Sequence, residues 1–268
     1  MTFCARGRLA PMNFVTGPQA PHNMPKTQTN SRSEEQLDEG LGVRRGMERR
    51  LESELKDLKS RILEMGGFVE QAIERATHAL QTRDRRRLEE VYQLEDKINL
   101  AHKAVDNACV NILARQSPVA ADLRLILAII KINTDLERMG DQAVNICHNA
   151  EHYMGGEVVQ AASSLPKMSG LVRGIVRDAL DAFMGADLQL AQKVLESDDA
   201  IDQLRDQSFS TLIEFMKTNP EKTEGALDLI LISRNLERLA DHATNIAEDV
   251  IFACTGADVR HGGPPDKK

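Results

Sequence analysis

Tryptophan is absent, tyrosine occurs only at Tyr92 and Tyr153, and aromatic residues make up 3% of the chain. Sheets draw on aromatic and β-branched side chains, so a large β-fold is disfavoured. The same shortage removes the stacking platforms that bind single-stranded nucleic acid. The four cysteines, Cys4, Cys109, Cys147 and Cys254, form no C-x-x-C pair. Scattered thiols suit a reducing compartment better than a disulfide framework. The longest apolar run in the body of the chain is Leu125–Ile130, far short of a membrane span. The first residues hold no continuous apolar stretch, so no secretory signal is expected, and the expected location is cytoplasmic. No G-x-S-x-G or other nucleophile signature occurs. The Gly66-Gly67 pair lacks the rest of a phosphate-binding loop.

What is present is an ordinary globular composition of 268 residues, 41% hydrophobic and 28% charged, with net charge −7. The first 46 residues carry a small positive excess, so the body is the more acidic part. An acidic body repels phosphate backbones, and direct nucleic-acid binding is not expected. Carboxylates in excess would tolerate bound cations.

Residues 1–46 contain Pro11, Pro18, Pro21 and Pro25 and little apolar periodicity, which predicts a disordered extension. Residues 255–268, rich in Gly and Pro, read as a flexible tail. Between them the pattern is helical throughout, with helices predicted near 47–81, 84–115, 118–154, 164–184, 187–217 and 220–253. Ser117-Pro118 and Asn219-Pro220 read as N-cap plus Pro at the first helical position. Pro166 opens another helix, and Asp84 and Asp187 read as N-caps. Long helices joined by short turns make antiparallel bundles.

The chain repeats itself. Met65-Gly66-Gly67-Phe68-Val69 aligns with Met168-Ser169-Gly170-Leu171-Val172, Asp84 with Asp187, and Glu95-Asp96-Lys97-Ile98 with Asp198-Asp199-Ala200-Ile201. Further on, Asp135-Leu136-Glu137-Arg138-Met139-Gly140-Asp141 aligns with Asn235-Leu236-Glu237-Arg238-Leu239-Ala240-Asp241, and Asn145-Ile146 with Asn245-Ile246. The expectation is an all-α fold of two tandem three-helix units, 47–156 and 164–254.

The repeated L-E-R-x-x-D-x-x-x-N-I segment is the most informative stretch. On a helix, Glu137, Asp141, Asn145 and His148 fall within about 80° of arc. Glu237, Asp241, Asn245 and Glu248 take the same positions in the second copy. Ile132, Leu136, Met139, Ala143 and Ile146 lie opposite, as do Ile232, Leu236, Leu239, Ala243 and Ile246. A solvated face opposite an apolar stripe is the ordinary reason for such a pattern. Against it, Glu at i and Asp at i+4 repel, and the arrangement recurs in both halves. A cation would relieve the repulsion, and hard oxygen donors suit Mg, Mn, Fe or Ca. Glu137, Asp141, Glu237 and Asp241 are the candidate metal ligands, with Asn145 and Asn245 as additional polar contacts. Glu70, Glu74, Asp178 or Asp181 of the first helix in each unit would supply further donors.

Lesser features have plainer readings. Arg124, Arg138, Arg234 and Arg238 could fork a phosphate, but pairing with neighbouring carboxylates is the better expectation. Lys131 is equally ambiguous. Gly66-Gly67 predicts close approach of two helices. Cys109 and Cys147 read as small core or boundary residues. Asp241-His242 has the wrong order for a His-Asp metal phosphohydrolase. A ferritin-like oxidase or hydrolase would want inward carboxylates and E-x-x-H motifs, which the chain lacks; a metal-binding helical-bundle oxidase or hydrolase is kept as the alternative. A purely structural coiled coil conflicts with the repeat and its short breaks.

The body resembles the PhoU family. The resemblance is carried by Met65-Gly66-Gly67-Phe68-Val69-Glu70, by Ser117-Pro118-Val119-Ala120-Ala121-Asp122-Leu123-Arg124, by Lys131-Ile132, and by the two L-E-R-x-x-D-x-x-x-N-I copies with Asp241-His242-Ala243-Thr244 between the second pair of motif residues. Val259-Arg260-His261-Gly262-Gly263 is familial too, and the likeness covers about 47–263. It implies two similar three-helix bundles with pseudo-twofold symmetry, in a cytoplasmic and often homodimeric protein; long helices with large polar faces and no nucleophile signature lead to the expectation that it is an adaptor and not an enzyme. It implies negative regulation of the phosphate-starvation response and of phosphate uptake. The implied partners are the ATPase subunit of the phosphate ABC transporter and the phosphate sensor histidine kinase, with the membrane reached only through them. The family's E/D-x-x-x-D motif implies a divalent or multinuclear metal (iron, manganese, magnesium or zinc) at Glu137-Asp141 and Glu237-Asp241.

Overall fold

The computed structural model describes residues 31–161 and 164–259. It divides into two units, 1–45 and 46–268; of the first, only the helical backbone of 31–45 is described. Seven α-helices and one 3-10 turn make up the described residues: α1 (Ser31–Thr82), α2 (Arg86–Gln116), α3 (Ala120–Gly155), α4 (Leu165–Gly185), α5 (Leu188–Glu196), α6 (Asp198–Thr218), the turn Pro220–Lys222, and α7 (Thr223–Thr255). No strand occurs among them. The expected disordered extension over 1–46 is corrected in part: 31–46 are helical, and 1–30 lie outside the described residues. Of the expected tail, 260–268 also lie outside them.

The second unit is organised around α3 and α7. Lys131 pairs with Asp249, Asp135 with Asn245, and His152 with Asp228. Partner numbers fall as α3 numbers rise, so the two helices run antiparallel. Helix α2 packs on α3, and α4, α5 and α6 pack on α7. The apolar stripes read from the sequence do face inward: Ile132, Leu136, Met139, Ala143 and Ile146, and their counterparts Ile232, Leu236, Leu239, Ala243 and Ile246, are all buried. Leu, Ile, Val, Met and Ala fill most of the core, and Phe183 and Tyr153 are buried in it too. No helix among the described residues is long and apolar enough to cross a membrane.

The turns explain where helices stop. Arg83 adopts the left-handed region (φ 55°). Its guanidinium donates from Nη2 to the carbonyls of Met154 and Gly156, at 2.6 and 2.9 Å, and lies over the Tyr153 ring. The α1–α2 turn is thus pinned to the end of α3. Asp187 caps α5 as expected, accepting from the amides of Gln189 and Leu190. Asp84 accepts from the amide of Arg86, but the helix boundary falls one residue later, at Arg85.

Three boundary expectations are corrected. Ser117 is not the N-cap of α3; it ends α2 in the left-handed region, and extended Val119 precedes α3. Asn219-Pro220 opens a 3-10 turn instead of an α-helix, with Lys222 N donating to Asn219 O. The predicted helix 187–217 divides at Ser197. There the Ser197 hydroxyl donates to Lys193 O at 2.7 Å, and its amide bonds back three residues to Val194. A serine that back-bonds its own helix tightens the last turn, and Asp198 and Asp199 then favour a fresh N-terminus. The aligned position in the first repeat is Leu94, and α2 runs through it unbroken.

Gly66 behaves as the sequence suggests, and Gly67 does not. A Cβ at Gly66 would lie 2.5 Å from Leu180 Cδ1 on α4, whereas one at Gly67 would meet nothing within 4 Å. Only Gly66 is needed for close approach of α1 and α4.

Candidate functional site

The polar faces of α3 and α7 are the natural place to seek chemistry. The structure distributes their residues unevenly. In the first copy, Glu137 is half-buried and Asp141, Asn145 and His148 are exposed. Neither Glu137 nor Asp141 has a hydrogen-bond or ion-pair partner among the described residues. Two carboxylates one helical turn apart are left facing each other without a counter-charge.

The second copy is built differently. Helix α6 lies against α7 and brings Asp198, Asp202, Arg205 and Asp206 to the motif. Arg205 Nη1 donates to Asp202 Oδ1 at 2.8 Å and to Glu237 Oε1 at 2.5 Å. Its Nη2 and Nε both donate to Asp206 Oδ1, at 2.9 and 3.0 Å. Asp241 keeps part of its surface in solvent, yet its carboxyl is pushed up to about 6, by partial burial first and then by Glu237, Asp198 and Asp202; His242 pulls the other way. The Asp198 carboxyl is also raised, by burial and by Asp202, Glu237 and Asp199, against the lowering influence of Arg205. Four carboxylates converge here, and one guanidinium threads between them.

Asp202 and Arg205 are neighbours of the motif that sequence reasoning missed. The signal was available in the alignment of Glu95-Asp96 with Asp198-Asp199. Carried forward, it sets Asp202 opposite Asn99 and Arg205 opposite His102. The first repeat therefore has neither the extra carboxylate nor the guanidinium at these positions.

The other proposed ligands go elsewhere. Glu70 receives Arg177 at 2.7 Å, Glu74 lies 3.8 Å from Arg173, and Asp178 receives Lys193 at 3.0 Å. The first two are interhelix ties between α1 and α4, away from the motif carboxylates. Asn245 donates to Asp135 Oδ1 across the α3–α7 seam, whereas Asn145 is exposed. Among the described residues, no three His, Cys, Asp or Glu side chains are arranged to hold a metal ion.

The arginine expectation is corrected. Arg138, Arg234 and Arg238 make no ion pair among the described residues, and the buried Nε of Arg124 has no hydrogen-bond partner. Lys131 does pair, with the buried Asp249 at 3.2 Å, and also lies over the Phe252 ring at 4.9 Å. His242 takes Asp135 of the other repeat as partner, at 2.9 Å, instead of its neighbour Asp241. A cleft of about 400 Å³ opens along this seam, lined by Lys131, Thr134, Asp135, Arg138, Asn245 and Glu248. Cys109 and Cys147 are buried free thiols, pushed up to about 11 and about 12 mainly by burial, which keeps them protonated and inert.

Fold and site together define a class: a duplicated helical bundle with one acidic, arginine-flanked motif on the central helix of each repeat. The chain belongs to the PhoU domain family, which matches residues 62–150 and 165–250. It is 39% identical over 212 residues to a Pseudomonas putida protein named phosphate-specific transport system accessory protein PhoU homolog, covering 79% of this chain and 83% of that one. It is 29% identical over 225 residues to the Escherichia coli phosphate-specific transport system accessory protein PhoU, covering 84% and 93%. The crystal structure of PhoU from Pseudomonas aeruginosa superposes with a TM-score of 0.75 at 37% identity, over 77% of this chain and 99% of that one.

Proposed function

We propose that the protein is a non-catalytic accessory regulator of a phosphate-specific transport system, restraining the phosphate-starvation response when phosphate is plentiful. One observation carries this reading. The L-E-R-x-x-D-x-x-x-N-I motif stands in both repeats on the same face of α3 and α7, in a chain that aligns over four-fifths of its length with proteins named as accessory proteins of the phosphate-specific transport system. The chain would act in the cytoplasm as an adaptor, contacting the transporter's ATPase subunit and the sensor histidine kinase, and working as a homodimer. Long helices with exposed arginines, in a sequence without a nucleophile signature, support contact over catalysis. Removing the gene should raise a phosphate-starvation reporter in phosphate-rich medium, and crosslinking in the same medium should retrieve the ATPase subunit and the kinase. An unchanged reporter and no recovery of either partner would refute it.

The metal reading is retained for the first repeat. Glu137 and Asp141 offer hard oxygen donors suited to magnesium, manganese or iron, and no cation among the described residues pairs with them. A bound divalent ion would supply fixed positive charge on the face presented to partners. Manganese measured per chain by mass spectrometry, after purification without chelators, should fall when Glu137→Ala and Asp141→Ala are combined. Metal content that ignores this change would return the pair to a solvated face.

A further inference from the structure

A pocket of about 270 Å³ lies where the two repeats meet, and none of the motif carboxylates lines it. We propose that it binds a small neutral molecule: an apolar body the size of one aromatic ring with a short substituent, carrying one hydrogen-bonding group. A dry, leucine-lined space of about 150 Å³ holds a benzene ring, so this one has room for the ring and its substituent. The site goes beyond the transport reading and does not depend on it.

Both repeats build the walls. The first supplies Thr77, Leu80 and Gln81 from α1 and Tyr153 from α3. The second supplies Leu165 and Pro166 from α4, and Leu229 and Leu236 from α7. Thr77, Tyr153 and the leucines at 165, 229 and 236 are no more than 6% exposed. The floor is therefore cut off from water, and exposed Gln81 and Pro166 mark the opening.

Protein interiors leave few spaces larger than a water molecule, and whether a void closes depends on how freely its walls relax. These walls are pinned. The Tyr153 hydroxyl accepts from the Val159 amide at 3.2 Å, and the Arg83 guanidinium lies 5.2 Å from the ring centre. On another side Gly225 comes so near that a Cβ there would lie 3.5 Å from Tyr153 Cδ2. The Thr77 hydroxyl donates to Ile73 O at 2.7 Å, and the Pro166 ring fixes its own backbone.

The chemistry of the lining selects the ligand. No charged side chain lines the pocket among the described residues, and an ion buried there would lose its hydration without a partner. Phosphate, nucleotides and metal ions are thereby excluded from it. The Gln81 amide makes no hydrogen bond among the described residues and stands at the opening. It offers a donor and an acceptor to one hydroxyl or carbonyl of a ligand whose apolar body points inward, the usual division of labour in small-molecule sites. Because the walls come from both repeats, a bound molecule ties them together and stabilises the folded chain.

The test uses the full-length protein with three probes sharing one ring: toluene, benzyl alcohol and benzoate. Leucine methyl groups labelled with carbon-13 are followed by NMR. Benzyl alcohol should shift the methyls of Leu165, Leu229 and Leu236 saturably, at one site per chain, and should raise Tm. Benzoate should bind at least about tenfold more weakly. Gln81→Ala should weaken benzyl alcohol by about threefold or more and leave toluene unchanged. Leu80→Trp should fill the space and abolish the shifts at Leu229 and Leu236. Thr77→Leu is a second filling variant should the tryptophan fold poorly, and helicity by circular dichroism reports which is usable. The proposal is overturned if no probe saturates, if benzoate binds as tightly as benzyl alcohol, or if a folded filling variant binds as wild type does.

Discussion

The two repeats share a buried stripe and diverge almost everywhere polar. Ile132, Leu136 and Ile146 have the same buried residue at the matching place in α7. Yet Asn133, fully buried in α3 and donating to His102 O and Asp106 Oδ1 on α2, is matched by Ser233, which only back-bonds to Ile230 of its own helix. His152, paired with Asp228, is matched by Phe252 and Ala128. Arg205 among its carboxylates is matched by His102. Duplication conserved what dispersion and burial need, which is shape. Polar contacts were free to specialise, because each depends on one partner and not on a whole face.

The largest expected effect tests the sameness. Ile132→Ala and Ile232→Ala remove equivalent, fully buried side chains and should each cost about 2–5 kcal/mol by urea unfolding. A silent change in one repeat would mean the halves are unequal at their core as well as at their surface. The next effect tests the difference. Asn133→Ala should cost about 1–3 kcal/mol, because it removes the donor to two acceptors on α2, whereas Ser233→Ala should cost under about 1 kcal/mol. Equal losses would show that the interhelix bonds of Asn133 add nothing.

Gly66 and Gly67 sharpen the comparison at a single step of chain. Gly66→Ala should destabilise by about 1–3 kcal/mol through the clash with Leu180. Gly67→Ala should be neutral or stabilising by up to about 1 kcal/mol through helix propensity. In the second repeat Ser169 replaces Gly66 without loss of burial, so α4 tolerates there what α1 does not. Thermal melts of the two variants decide it.

The smallest effect is pH-dependent. Asp228, first by its hydrogen bond and then by its charge, raises His152 above the ordinary 6.5. A group whose folded value is raised lends stability that is fully present below about 6.5 and fades as pH climbs through the folded value. His152 is largely exposed, so the contribution is small. The melting difference between wild type and His152→Ala should be greatest on the acid side and shrink toward alkaline pH. A difference that grows with pH would reverse the assignment. The tie has no equivalent at the other end of the seam, where Lys131 reaches the buried Asp249 instead.

Much of this was legible before any coordinates. Helical class, duplication and inward stripe follow from spacing, because a period near 3.6 admits one way to bury an apolar face. Asp187 was legible as a cap because its bonds are local. The break at Ser197 was not. A single serine inside a helical pattern is usually harmless, and its back-bond shows only once the turn is built. Gly66 and Gly67 read alike as a pair, and only the position of Leu180 separates them.

By itself the sequence determined the helical class, the twofold repeat and the residues offered to the polar faces, since each follows from periodicity and local bonding along one helix. The tertiary structure alone decided which carboxylates stand free and which are held. Glu137 and Glu237 are indistinguishable in their motifs. Their difference is made by α6, which carries Arg205 from 32 residues away onto Glu237, and a contact between helices leaves no periodic trace in either one.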